Sequence, residues 1–271
     1  MKKPSRRVSQ QSIKIPVTFR GKQLQIKTNH YKAHESKGCL VIAGGLGEGN
    51  FACKALAQKI AKELSWDVIT YDIHYHSVPI NAGADIERFA RKVTRAVIEH
   101  LDRQVTVLAH SGATLPIVNL SHQLESIEDV ILLSPLNFFG VVNNGQRDVI
   151  KSRYTRFVKK HTAEGIVRPL TEHRAGLAYA KHAALNLKNF KHVFALIADH
   201  TSSLPKSYFI GVGANDLLVS LEEISRAFPD IDQHKLYVFK DRLAGHYHLA
   251  SRRGTLQAFE LFKVYLRRVN L

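Results

Sequence analysis

A hydroxyl becomes a useful nucleophile when an imidazole takes its proton, and the imidazole works best when a carboxylate orients it. The chain offers a serine suited to this in Ala109-His110-Ser111-Gly112-Ala113. The apolar run VTVL at 105–108 precedes it, and helix-compatible residues including Leu115, Ile117, Val118 and Leu120 follow. A strand that stops at a serine among small residues and turns straight into a helix presents its hydroxyl from a strained turn, where the two backbones nearly touch. A carboxylate and an imidazole stand in matching places downstream. Asp216 closes the run SYFIGVGAND, in which Gly211, Gly213 and Ala214 let the chain turn, and His246 follows Gly245 in the loop after KLYVFK. Each has an ordinary reading too. Serine is a favoured helix N-cap, Asp stabilises turns after strands, and His246 is one of 15 histidines, with His248 an alternative base two residues on.

The elements that must hold these groups can be read from hydrophobic period. Residues 14–19 and 23–28 read as short strands around Arg20-Gly21-Lys22, an antiparallel hairpin. Residues 38–43, 66–73, 104–110, 127–133, 207–216 and 235–240 are apolar runs of the kind buried on both faces of a parallel sheet. Between them lie amphipathic stretches. Leu56, Ile60 and Leu64 recur every fourth residue, Ile86, Phe89, Val93, Val97 and Leu101 form a second stripe, and Leu256, Phe259, Phe262 and Leu266 a last one. Strands alternating with such helices predict a mostly parallel α/β sheet covered on both faces. The alternation breaks at 136–187, a segment rich in Lys and Arg that reads as a helical lid over the strand ends, and resumes with a helix at 189–199.

Composition narrows the field. The 271 residues, 45% of them hydrophobic, suffice for one large domain, expected over 13–271 behind a disordered basic tail at 1–12. The tail is not followed by an apolar stretch of the secretory kind, and no run of roughly 18 apolar residues suggests a membrane span. Cys39 and Cys53 lack metal-ligand spacing and read as reduced, buried thiols of a cytoplasmic protein. The net charge of +16 is spread along the chain. It fits an anionic lipid, an anionic small-molecule substrate or simple solubility, and without a zinc-finger spacing, an RNP motif or an aromatic-interleaved basic patch no nucleic-acid partner is expected. Gly44 to Gly49 lacks the endings of a P-loop or dinucleotide fingerprint. His74, His76, His246 and His248 lack a carboxylate arrangement of metal-binding type, so neither metal nor cofactor is expected.

From about residue 13 to its end the chain resembles the α/β-hydrolase superfamily. AHSGA resembles the G-H-S-x-G elbow with both glycines replaced by alanine, and VIAGG at 41–45 the segment that usually ends in His-Gly. YDIHYHS at 71–77, GANDLLVSLEEISRAF at 213–228 and AGHYHLA at 244–250 are similar to three further family loops. The order Ser111, Asp216, His246 is the family's order. The resemblance implies Ser111 as nucleophile, His246 as general base and acid, and Asp216 as its orienting partner. It also implies an oxyanion hole made by the backbone N–H groups of Gly112 and Gly45, or of Leu46 if the turn is registered one residue later. The implied activity is hydrolysis of an ester, thioester or amide. Acyl transfer to another acceptor on the same triad, and a non-catalytic binding protein on the same fold, are the alternatives; Ala43 in place of the family's histidine and the two elbow alanines favour the latter. Oligomeric state has no signature in the sequence.

Overall fold

The computed structural model describes residues 8–45, 48–73, 83–135, 204–216, 218–228, 230–247 and 249–269. The lid expected at 136–187 and the helix expected at 189–199 lie outside them.

Strands β1 (Val8–Phe19) and β2 (Lys22–Ala33) form the N-terminal antiparallel hairpin. Its turn residues Arg20 and Gly21 both have positive φ, 50° and 73°, matching the right-handed twist of the flanking strands. β1 begins at Val8, inside the stretch expected to be tail, because residues 8–12 pair with residues 29–33 of β2. Backbone pairing needs no apolar side chains, so the polar run SQQS carries no hydrophobic signal of a strand.

β2 pairs antiparallel with β4 (Asp67–Tyr71), and every later pairing is parallel. With β3 (Cys39–Ala43), β5 (Val105–His110), β6 (Ile127–Leu133), β7 (Tyr208–Gly213) and β8 (Leu236–Phe239), the order is β1-β2-β4-β3-β5-β6-β7-β8. Alternation along each strand sends neighbours to opposite faces. Val41, Ile69, Val107 and Leu132 pack with Phe89, Val93 and Val97 of α2 (Gly83–Leu101) and Leu115 and Val118 of α3 (Thr114–Ser121). Leu40, Val68, Leu108 and Ile131 pack with Leu56 and Ile60 of α1 (Asn50–Leu64) and with Phe259 and Phe262 at the C-terminus of the chain. That last helix runs Arg252–Val269, after a short helix α4 at Leu221–Ala227, and is numbered α5. This is the predicted α/β architecture, helices on both faces included. Each face buries several Val, Leu, Ile and Phe side chains at about 1.5–3 kcal/mol apiece, which is what holds the sheet rigid.

At the sheet edge where β4 starts, Asp67 fastens β2 and the turn after α2 to β4. Its carboxylate accepts from the Ala33 N–H at 3.0 Å and from Arg103 at 2.7 Å, and the His30 ring lies 3.5 Å away. Burial pushes the Asp67 carboxyl up, but the Arg103 guanidinium and the Ala33 amide outweigh it and hold the group below its ordinary value. A carboxyl depressed in the folded state contributes stability above its unfolded pKa and loses it as pH falls through the folded one. Replacing Arg103 by Met raises the folded value towards the unfolded one. Acid unfolding of Arg103→Met, followed by circular dichroism, is therefore expected to begin at higher pH than in the wild type; an unchanged acid limb contradicts this assignment.

Candidate active site

Ser111 sits immediately beyond β5, at the first residue of a 3₁₀ turn, Ser111–Ala113, that runs into α3. Its φ of 51° is in the left-handed region, which costs a non-glycine residue on the order of 1–3 kcal/mol. The surroundings over-determine it. Ala109 and Ala113 are buried, and Thr114 Oγ1 donates to the Ser111 carbonyl at 2.7 Å. Two methyl groups in place of glycine hydrogens therefore leave the elbow intact. The capping alternative for Ser111 is not realised, since neither the turn nor α3 has a side-chain cap.

The Ser111 hydroxyl lies 3.2 Å from His246 Nε2, and His246 Nδ1 lies 2.9 Å from Asp216 Oδ2. Asp216 also accepts the Leu218 and Val219 N–H groups at 2.8 and 3.0 Å, so its turn-stabilising role and its pairing with histidine coexist. Burial pushes the Asp216 carboxyl up, yet the His246 imidazole and the backbone donors outweigh it and hold the carboxyl below its ordinary value. An ionised Asp216 accepts from Nδ1–H, which leaves the Nε2 lone pair for the serine proton. His248, the alternative base, lies outside the described residues.

What joins the acid and histidine loops is a close approach. A Cβ on Gly213 would stand 1.9 Å from the Ala244 carbonyl oxygen, and one on Gly211 would meet Leu261 Cδ1 at 2.5 Å. These glycines have no positive φ; they make room rather than turn the chain. The Asn215 N–H then donates to the Ala244 carbonyl at 2.7 Å, and the buried Gln257 of α5 donates through Nε2 to the carbonyls of Leu243 and Gly245 at 2.8 and 2.9 Å.

The glycine loop after β3 packs directly on the serine. A Cβ on Gly45 would lie 3.1 Å from Ser111 Cβ. The Gly45 N–H, however, donates to Glu48 Oε2 at 2.7 Å. The expected oxyanion donor Gly45 thus approaches the serine closely, with its amide bonded inside the loop to the carboxylate three residues on. Leu46 lies outside the described residues. Gly112 is buried directly after Ser111. Asp72, directly after β4, accepts the Asn50 N–H at 2.6 Å at the start of α1. Burial pushes the Cys39 and Cys53 thiols up, and neither forms a disulfide. Among the described residues no group of three or more His, Cys, Asp or Glu is arranged to hold a metal, and no helix is long and apolar enough to cross a membrane.

No family model and no curated protein sequence matches the chain. Solved structures do. An esterase from Exiguobacterium antarcticum superposes with a TM-score of 0.64 at 15% identity, over 94% of this chain and 100% of that one. A serine hydrolase from the polyaromatic-hydrocarbon-degrading bacterium Cycloclasticus zankles gives 0.63 at 13% identity, over 96% and 98%. The haloalkane dehalogenase DatA from Agrobacterium tumefaciens gives 0.60 at 15% identity, over 96% and 97%. The chain has the α/β-hydrolase fold.

On that fold, three contributors carried too little local signal to be picked out from sequence. Glu48 is a buried acid inside the glycine turn, His110 a buried histidine before the serine, and Gln257 a buried amide on α5. An acidic residue in an otherwise apolar glycine loop is the one local signal that could have marked Glu48. The Gly213 contact generates a prediction. Gly213→Ala forces apart the backbones at 213 and 244, which is expected to cost about 1–3 kcal/mol by chemical denaturation. It also lowers reactivity at Ser111 roughly 10²-fold through displacement of the acid from the histidine; wild-type reactivity in this variant contradicts the account.

Proposed function

We propose that the protein is a serine hydrolase that cleaves an ester, thioester or amide through an acyl-enzyme on Ser111. The observation that carries this reading is the single imidazole of His246 placed between the Asp216 carboxylate and the Ser111 hydroxyl. In the acylation step Ser111 Oγ forms a bond to the acyl carbon while His246 Nε2 takes its proton. The imidazolium, steadied by Asp216, then gives that proton to the leaving group as its bond to carbon breaks. Water repeats the sequence in reverse, with His246 as base, and frees the acid. The developing oxyanion is held by the backbone N–H of Gly112. A donor of this kind is worth about 3 kcal/mol in the transition state.

The likeness to an esterase and a serine hydrolase supports the same reading, and the geometry argues against an idle, purely binding site. The strained φ at Ser111 costs free energy that a binding scaffold has no use for. A net charge of +16 favours an anionic acyl substrate, and two buried thiols without a disulfide fit a reducing, cytoplasmic setting.

A fluorophosphonate tests the proposal directly. Ser111 Oγ bonds to phosphorus, the P–F bond breaks, fluoride leaves and His246 takes the hydroxyl proton. The wild type is expected to be labelled, Ser111→Ala not at all, and hydrolysis of a p-nitrophenyl ester is expected to fall on the order of 10⁴-fold in Asp216→Asn. Labelling that persists in Ser111→Ala, or none in the wild type beside a labelled control esterase, contradicts the assignment.

A further inference from the structure

Glu48 is a buried carboxylate that the triad does not use, its side chain 1% exposed, and donors from three different segments converge on it. Oε2 accepts the Gly45 N–H at 2.7 Å and lies 2.6 Å from His110 Nδ1, while Oε1 accepts the Leu249 N–H at 2.6 Å. A carboxylate already accepting two backbone N–H groups makes Nδ1 of His110 the third donor. His110 Nε2 is buried without a hydrogen-bond partner, so the Glu48 contact is what fixes the ring.

The three segments are the ones that carry the chemistry. Gly45 belongs to the loop resting on Ser111, His110 is covalently next to Ser111, and Leu249 is three residues beyond His246. The His110 and His246 rings stand 5.4 Å apart between centroids. We propose that Glu48 is a positioning residue which sets the mutual register of the glycine loop, the nucleophile elbow and the histidine loop, acting through Gly45, His110 and Leu249 rather than on substrate. This rests on the serine-hydrolase reading above.

The residue type follows from donor count. Three N–H groups facing two oxygens need a group that only accepts, and an ionised carboxylate is one. Glutamine has a single oxygen. With its NH₂ towards Gly45 and His110 it opposes two donors, and flipped it opposes the Leu249 N–H. Glu48→Gln therefore keeps size and burial but turns at least one fastening into a repulsion. The consequence is a small displacement of backbone around Ser111, of the kind that costs on the order of 10² in rate at a reacting centre.

The test measures rate and amplitude separately. Wild type, Glu48→Gln, His110→Leu, His110→Asn and, as a destabilised control away from the site, Val130→Ala in the β6 core are reacted with a fluorophosphonate. Both the rate constant and the final stoichiometry are read, with kcat and KM for an ester alongside. The expected result for Glu48→Gln is full stoichiometry with a rate constant roughly 10–100-fold lower, kcat reduced in parallel and KM little changed. His110→Leu is expected to be slowed as well. His110→Asn, whose amide nitrogen can donate where Nδ1 did, recovers part of that loss, so the proposal stays testable if Glu48→Gln does not fold. Val130→Ala lowers the Tm and leaves the rate constant unchanged. If the Glu48→Gln and His110→Leu variants lose amplitude alone, or react at the wild-type rate, Glu48 serves stability only and the proposal is overturned while the hydrolase reading stands. No labelling of the wild type overturns both.

Discussion

In a parallel sheet every strand ends at the same edge, and that constraint governs this protein. β3, β5, β7 and β8 run in one direction, with β6 between β5 and β7, so the glycine loop, the serine elbow, the acid loop and the histidine loop all leave from one rim. Residues 135 positions apart, Ser111 and His246, come within 3.2 Å through this convergence. The rim alone does not fix distances to a fraction of an ångström. That is done by three local devices: the bare Cα of Gly213 beneath Ala244, the Gln257 amide holding two carbonyls of the histidine loop, and the Glu48 carboxylate joining loop, elbow and histidine segment.

The sheet was legible in the sequence because its strands are apolar on both faces and its helices carry stripes at helical spacing. Both signals are local and strong. The hairpin was legible in its apolar half, 14–19, and not in its polar half, since the backbone hydrogen bonds that extend β1 back to Val8 leave no mark on side-chain type. The order Ser111, Asp216, His246 was legible because each residue follows a strand.

The fastenings around those residues were not legible. Glu48 meets His110 across 62 positions and Leu249 across 201, separations at which no spacing pattern exists. Gly213 looked like a turn glycine and is a clearance glycine, a distinction set by Ala244 rather than by its own neighbours. Gly45 looked like an oxyanion donor because of its place in the loop. Its amide is consumed by a carboxylate whose orientation only the fold determines.

The site thus combines a strained serine, a bridged imidazole and an acid kept ionised in a buried setting, and in the proposed mechanism all three serve one event: transfer of the Ser111 proton as Oγ bonds to carbon. The most direct examination of that event is a crystal structure of the protein after reaction with a phosphonate ester, a stable likeness of the tetrahedral intermediate. Continuous density is expected from Ser111 Oγ to phosphorus, with the phosphoryl oxygen within hydrogen-bonding distance of the Gly112 N–H and His246 Nε2 facing Oγ. Phosphorus bonded to another side chain, or a phosphoryl oxygen turned away from Gly112, would contradict it.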